Sequence, residues 1–448
     1  MPVAVFCQAY FNRYKRNAKQ ANSVNDIMMS SSWSYFTPSY NCKNRKVKVD
    51  ISMKKILLVT AMAAFSLSSA QAAPKFYGKV FLTADYINAK ANMNTRLGVN
   101  ETTKVLSAYD EDVVELNSHS SRLGIKGSEA MTDNTDVVYQ LEYRISVDGD
   151  DKSFKSRDTY LGLANKRFGE FRFGRNSSVL GEVDKAIVTE GYWDNLGDSK
   201  LKSNNKPRAL NMLDDSRQDN SMVWIAPKYK DLPLELRVQY ALDESSAADS
   251  NDSQDGFGAS LMYKAKAGYT LGLAYSKDMD ISDDINILDL SDPDEPRRSK
   301  VDYGGDVIRA EVTADLDKYM TVPVTLGLLY QQADYDFTGS KKEKGLVVSG
   351  EMDLKNFAKP ASVYLQYNKT DNLNGYDNSN SEQMVLGGKY KFKKNITAHA
   401  YIGKNSADYV AVGKIKGVDV NDKKYERYDN IESDIEVFAF GGGLEYKF

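Results

Sequence analysis

The chain has 448 residues, with 59 Lys and Arg against 62 Asp and Glu, two histidines and two cysteines. Residues 1–72 hold 10 of the basic and 2 of the acidic groups, which leaves 49 against 60, a net charge of −11, on residues 73–448. That remainder lacks the basic surface that nucleic acid requires. It has no cysteine for a disulfide framework or thiol chemistry, because Cys7 and Cys42 both lie upstream.

Residues 1–52 carry ten charges without period and a Ser30-Ser31-Ser32 run, and are expected to be an upstream extension that is untranslated or disordered. From Met53 the chain reads as a secretory signal over 53–72. Lys54 and Lys55 are followed by a mostly apolar run from Ile56 to Phe65 and by the small residues Ala70-Gln71-Ala72. The run is too short to cross a bilayer. A secretory signal leads its chain, so Met53 is the expected start, and 73–448 the exported domain.

After the signal no stretch of eighteen apolar residues occurs, so no transmembrane helix is expected. What recurs is a period of two. Val137, Tyr139, Leu141, Tyr143, Ile145 and Val147 alternate with Gln140, Glu142, Arg144 and Ser146, giving a strand with one oily and one wet face. The same beat returns at Leu234–Tyr240, at Val322–Tyr330 and from Phe438 to Phe448. In chain order it predicts strands over 75–89, 113–127, 135–148, 157–165, 168–176, 218–227, 233–242, 256–266, 268–278, 304–316, 322–334, 344–354, 360–370, 382–392, 395–405 and 434–448. Many reach about ten residues, the length a tilted strand needs to cross hydrocarbon, whereas strands of a soluble sandwich are typically about five or six residues long.

Connections alternate between short turns, such as 165–167 and 393–395, and long polar stretches over 90–112, 177–217, 279–303 and 406–433. Bacterial barrels show this asymmetry, with short periplasmic turns and long outer loops. In a membrane a sheet must close, because lipid cannot satisfy an open edge. The expected fold class is therefore all-β: a closed antiparallel transmembrane β-barrel of about 16 strands. Tyr86, Tyr160, Tyr275, Tyr367 and Tyr390 fall near strand ends, where aromatic girdles would use them.

Four segments carry a family resemblance. They are Phe76-Tyr77-Gly78-Lys79, Ser121 to Gly127 (SRLGIKG), Phe168-Gly169-Glu170 with Phe173-Gly174-Arg175-Asn176, and the terminal Tyr446-Lys447-Phe448. In order and spacing they resemble the Gram-negative general porins over essentially all of 73–448. The resemblance implies a homotrimer of water-filled 16-stranded barrels in the outer membrane, each narrowed by an inward-folding third loop, here 177–216. It implies an acidic loop facing a basic wall. The matching wall positions are Lys79, Arg122, Arg157 and Arg217; strand parity adds Arg144, with Arg237 and Arg309. The loop candidates are Asp184, Glu190, Asp194 and Asp198, with Glu182 beside them. Tyr446 and Phe448 resemble the signal read by the barrel-assembly machinery; outer-membrane lipid and lipopolysaccharide are the implied surroundings. The loop departs from the family at Tyr192-Trp193-Asp194, and Trp193 is either an anchor against the wall or an exposed aromatic at a rim.

A charge facing lipid at midplane costs about 2–4 kcal/mol, so an inward Arg or Lys is at least where water can solvate it. Opposite unit charges about 8 Å apart interact by about 0.5 kcal/mol in water and about 2 kcal/mol at an effective dielectric of about 20, enough to orient dipolar solutes in a narrow pore. Catalysis is not expected. His119 and Ser120 would face opposite ways on a strand, no metal spacing involves His or Cys, and the acidic stretches 250–255 and 291–295 match no ordered calcium loop. No cofactor is implied. The expected function is a general diffusion porin for small hydrophilic solutes and ions, with a weak cation preference. The alternatives are a sugar- or anion-selective channel, or a non-conducting barrel enzyme or adhesin.

Overall fold

The structure, a computed structural model, describes residues 39–42, 45–48, 73–97, 102–149, 154–194, 209–214, 217–228, 232–242, 255–277, 287–289, 297–299, 305–335, 341–355, 357–418 and 424–448. The chain divides into two units, Met1–Leu67 and Ser68–Phe448. In the first, Ser39–Cys42 and Arg45–Lys48 pair as an antiparallel ribbon. The secretory signal expected over 53–72 lies outside the described residues, as does Asp198.

The second unit is a closed 16-strand antiparallel barrel. Its strands are β1 (Lys75–Leu97), β2 (Thr102–Ser118 and Arg122–Thr132), β3 (Thr135–Arg144), β4 (Lys155–Asn165), β5 (Gly169–Ser177), β6 (Arg217–Ile225), β7 (Leu234–Ala241) and β8 (Gly256–Lys264). They continue as β9 (Tyr269–Lys277), β10 (Gly305–Asp315), β11 (Val324–Tyr335), β12 (Glu343–Asp353), β13 (Ala361–Asp371), β14 (Asn380–Lys393), β15 (Ile396–Val418) and β16 (Lys424–Lys447). Each pairs with its sequence neighbours, and β16 closes on β1 from Ile431↔Thr95 to Lys447↔Lys79. Closure also ties the chain end to its first strand, because the Gly78 amide donates to the Phe448 carbonyl and the Phe448 amide to the Gly78 carbonyl.

Each predicted strand coincides with one of these sixteen, but four are longer than their apolar alternation suggested. The stretches 90–112 and 406–433, expected as loops, are mostly strand: β1 runs to Leu97, β2 starts at Thr102, and β15 and β16 are joined across 419–423. Their ladder bonds hold polar sequence in register without the lipid-facing pattern on which the expectation rested. Within 279–303, Ile287–Asp289 pairs with Arg297–Ser299. The second correction is a break in β2 at His119 to Ser121, where Ser120 adopts a positive φ of 49°. Strand parity therefore does not apply to His119 and Ser120.

Alternation along each strand sorts side chains into an exposed apolar face and a buried face. Leu261, Leu273, Leu328, Leu365, Leu386 and Phe440 lie on the first. Thr83, Gln239, Arg309, Gln331, Gln366, Asn405 and other polar groups lie on the second. On β1 the apolar Phe81 shares the buried face with Lys79, Thr83 and Asp85, its ring 5.7 Å from that of His119 and 4.6 Å from that of His399. Among the expected girdle residues, Tyr86 faces out against Phe440 at 5.1 Å, and Tyr390 meets Phe392 at 4.9 Å. Tyr160 differs: it lies opposite the girdle face and stacks under the guanidinium of Arg172 at 4.5 Å.

Candidate functional site

Between β5 and β6 the backbone leaves the ladder, so its amides need other acceptors. Wall side chains supply them. Val179 donates to Gln239 (3.1 Å), Ala186 to Glu311 (3.1 Å), Val188 to Gln366 (2.8 Å), Tyr192 to Tyr401 (3.1 Å), Leu210 to Asn405 (3.1 Å) and Leu213 to Glu343 (2.9 Å). Every acceptor belongs to the buried parity of its strand. Arg309, with no exposure, reverses the direction of bonding. Its Nη1 donates to the Leu180 carbonyl (3.0 Å), Nη2 to that of Leu213 (3.2 Å) and Nε to Gln331 (2.7 Å). Parity had placed Arg309 correctly; its role is to hold the segment rather than to line an opening.

Apolar packing completes the attachment. Trp193 and Leu210 join Val385, Ile435 and Val437 in one cluster, while Leu180, Val183 and Leu213 join Met262, Ala274 and Val307 in another. Burying a side chain of this size contributes about 1.5–3 kcal/mol. Of the two readings of Trp193, the structure supports the anchor: the ring is 2% exposed and its Nε1 donates to the Ala439 carbonyl at 3.3 Å.

Four of the expected basic wall residues, Lys79, Arg122, Arg157 and Arg217, each lie beside a carboxylate that the sequence had not pointed to. Lys79 lies 3.5 Å from Glu445. Arg122 and Arg157 both reach Glu142, at 3.6 and 2.7 Å, and Tyr77 also donates to it at 3.0 Å. Arg217 pairs with Asp158 at 3.0 Å, and Ser177 donates to the same carboxylate. Arg144 is exposed and stands opposite Arg122 in register. Glu142 shares the parity of Arg144, which was the available signal; that two arginines from different strands converge on it was not visible in the sequence.

The loop acids divide. Asp184 pairs with its neighbour Lys185. Glu182 meets Arg237 at 2.6 Å. Glu190 is 3.7 Å from Lys389, which also lies 3.6 Å from Glu351. Asp194 accepts from Ser120 Oγ at 3.0 Å. Lys79 feels the carboxylates of Glu445, Asp194 and Glu190 together with the like charge of Arg122, so two loop acids and two wall cations share one field. Burial, reinforced by the Asp194 carboxylate, pushes the Glu190 carboxyl above the usual carboxylate range. Lys389 was missed because it lies in a Lys-rich strand end, Lys389 to Lys394, that reads as solvated rim.

His119 and Ser120 turn to different partners. His119 Nε2 lies 2.9 Å from Thr83 Oγ1 and 3.4 Å from Asp85, while Ser120 engages Asp194. The acidic stretch 291–295 and residues 250–254 lie outside the described residues.

Residues 58–408 match the sequence profile of the Gram-negative porins. The major outer membrane protein P.IB of Neisseria meningitidis serogroup B (strain ATCC BAA-335 / MC58) is 27% identical over 241 residues, covering 52% of this chain and 63% of that protein. This match spans less than two thirds of that relative's length. Outer membrane protein Omp-EA of Erwinia amylovora is 24% identical over 402 residues, covering 81% of this chain and 99% of that protein. Among solved structures, the anion-selective porin from Comamonas acidovorans superposes with a TM-score of 0.54 at 16% identity, covering 84% of this chain and 99% of that one. Outer-membrane expressed OmpT of Vibrio cholerae gives 0.52 at 15% identity, covering 85% and 99%. At such identities the two structures bear on fold alone. The profile match extends from before β1 into β15, over strands that close into the barrel described above, and the chain belongs to the Gram-negative porin family of the outer membrane.

Proposed function

We propose that the barrel is a general diffusion channel: small hydrophilic solutes and ions cross the outer membrane passively through a water-filled lumen. The third loop, through its described parts 177–194 and 209–214, folds into that lumen and narrows it in this reading. One observation carries the reading. Charged groups from wall and loop (Lys79, Arg122, Lys389, Glu190 and Asp194) share the face opposite the apolar one, and partly exposed charges there need water.

Opposite signs within one narrow zone set up a field that orients dipolar solutes and disfavours apolar ones. The net −11 of residues 73–448 against the basic wall residues supports a weak rather than strong cation preference. Lys79, Arg122, Arg157, Arg144 and Arg217 are assigned to the basic side of the constriction, and Asp184, Glu190, Asp194 and Asp198 to the acidic side. The barrel works as a homotrimer among lipid and lipopolysaccharide, is delivered by the cleaved signal at 53–72, and is inserted by the barrel-assembly machinery reading Tyr446 and Phe448. It carries no catalytic site.

The test is single-channel recording in planar bilayers, with the reversal potential in a salt gradient. Large ohmic steps with a modest cation bias are expected. Absence of conductance in the folded protein would overturn the reading, and saturation by one sugar, or strong anion selectivity, would replace it with a selective channel.

A further inference from the structure

The loop's attachments differ in what stands behind them. Several end on wall groups that bond onward to other amides, Gln366 to Asn368, Asn405 to the Leu210 carbonyl and Glu343 to the Asn374 amide, while the one at Tyr192 passes through a hydroxyl to a buried carboxylate. Its N–H donates to Tyr401 Oη at 3.1 Å, and that hydroxyl donates to Asp85 Oδ1 at 2.6 Å. Asp85 has no exposure and is gripped from three strands. Thr83 Oγ1 donates to Oδ2 at 2.6 Å, Asn117 Nδ2 at 2.8 Å, and the His119 ring lies 3.4 Å away. A carboxylate buried at this depth persists only when such donors compensate it, and the same donors leave it one position to occupy.

The turn held by this relay is Gly191–Trp193. Gly191 sits on the Tyr401 ring with φ 69°, and any Cβ there would overlap the ring, so no other residue fits both the space and the backbone. The two acids placed in the shared field, Glu190 and Asp194, are the residues immediately before and after this turn. A shift of the turn displaces both carboxylates together relative to Lys389, Lys79 and Ser120.

We propose that Asp85 and Tyr401 are positioning residues that set the pore's ion preference by fixing the turn between Glu190 and Asp194. This rests on the diffusion-channel reading above. Neither residue needs to touch a permeating ion. Tyr401 acts through the Tyr192 amide, and Asp85 acts through Tyr401.

Tyr401→Phe removes the relay while keeping the ring under Gly191. Asp85→Asn keeps one acceptor and loses the charge. Loss of one hydrogen bond raises the displaced population of the turn by about two- to tenfold. The expected results for Tyr401→Phe are a cation-to-anion permeability ratio lowered by about twofold, noisier open states and faster amide exchange in peptides containing Tyr192, with an unchanged β-sheet circular dichroism spectrum. Asp85→Asn should act in the same direction. Gln239→Leu removes the anchor at Val179 instead, and should leave both the ratio and exchange at Tyr192 as in the unsubstituted protein.

If Tyr401→Phe leaves ratio and exchange unaltered, or if Gln239→Leu shifts the ratio equally, the positioning role is overturned and the contacts are generic packing. Exchange is read without any current. A barrel that conducts nothing would defeat the channel reading, while the exchange comparison would still decide whether Tyr401 holds the turn.

Discussion

The two ends of β16 follow opposite rules. From Phe440 to Phe448 the exposed apolar residues are Phe440, Leu444, Tyr446 and Phe448, while Glu445 is buried on the other face. From Glu432 to Ala439 the arrangement inverts: Glu432, Asp434 and Glu436 are exposed, and Ile435, Val437 and Ala439 are buried. Strand β1 changes at the same level. Its buried residues pass from Lys79, Thr83 and Asp85 to Ile87, Ala89 and Ala91, and register pairs Asp85 with Gly441 and Ile87 with Ala439. One continuous ladder is therefore solvated by two media. Where lipid covers the wall the oil faces out; beyond the Tyr86–Phe440 pair, the wall behaves like that of a water-soluble protein and turns its oil inward against Trp193 and Leu210.

The largest expected effect tests the inverted end. Trp193→Ala empties the centre of its inward cluster and should cost about 3–5 kcal/mol of local packing. It should show as a lowered urea midpoint in detergent together with larger, less steady conductance. A midpoint and current equal to those of the unsubstituted protein would mean the cluster holds nothing.

Next comes the lipid-facing end. Leu273 is exposed at the middle of β9, and Leu273→Arg should cost about 2–4 kcal/mol, read as lost folding yield in lipid vesicles. Equal yield would show that hydrocarbon does not cover this face.

Acid probes the zone between. Burial and Asp194 raise the Glu190 carboxyl above its ordinary range, so folding shifts it toward the protonated form relative to the unfolded chain. A raised carboxyl adds stability at low pH that is lost as pH rises through its folded value; the turn should therefore be held at least as firmly in acid while its charge disappears. Cation preference is expected to decline by about twofold as pH falls, beginning above the ordinary carboxylate range, as measured by reversal potential. A flat profile, or a decline that survives Glu190→Gln unchanged, would remove Glu190 from the selectivity zone.

The smallest effect belongs to the outer face of the inverted end, where Glu436→Ala should change stability by no more than about 0.5 kcal/mol. A loss comparable to that of Leu273→Arg would erase the distinction between the two ends.

This inversion also explains what could be read in advance. All sixteen strands were legible where lipid imposes an apolar beat, and β1, β2, β15 and β16 were cut short where the beat changes hands. A strand's own period carries the parity that supported Lys79 and added Arg309, whereas Arg122 and Arg157 came from the family resemblance. Their partners Glu445, Glu142 and the carbonyls of Leu180 and Leu213 arise from register and loop path, which one strand's sequence does not encode. The break at His119 to Ser121 escaped notice because SHSS contains neither Gly nor Pro to mark it.

The loop grips the wall mainly through its own backbone amides, and every residue except proline offers the same N–H. Side chains outside its buried clusters and the Gly191–Trp193 turn, such as Asp184 and Lys185, can therefore change in charge while those bonds persist. Point changes at such positions alter the charge of the segment without rebuilding the sixteen strands that seat it.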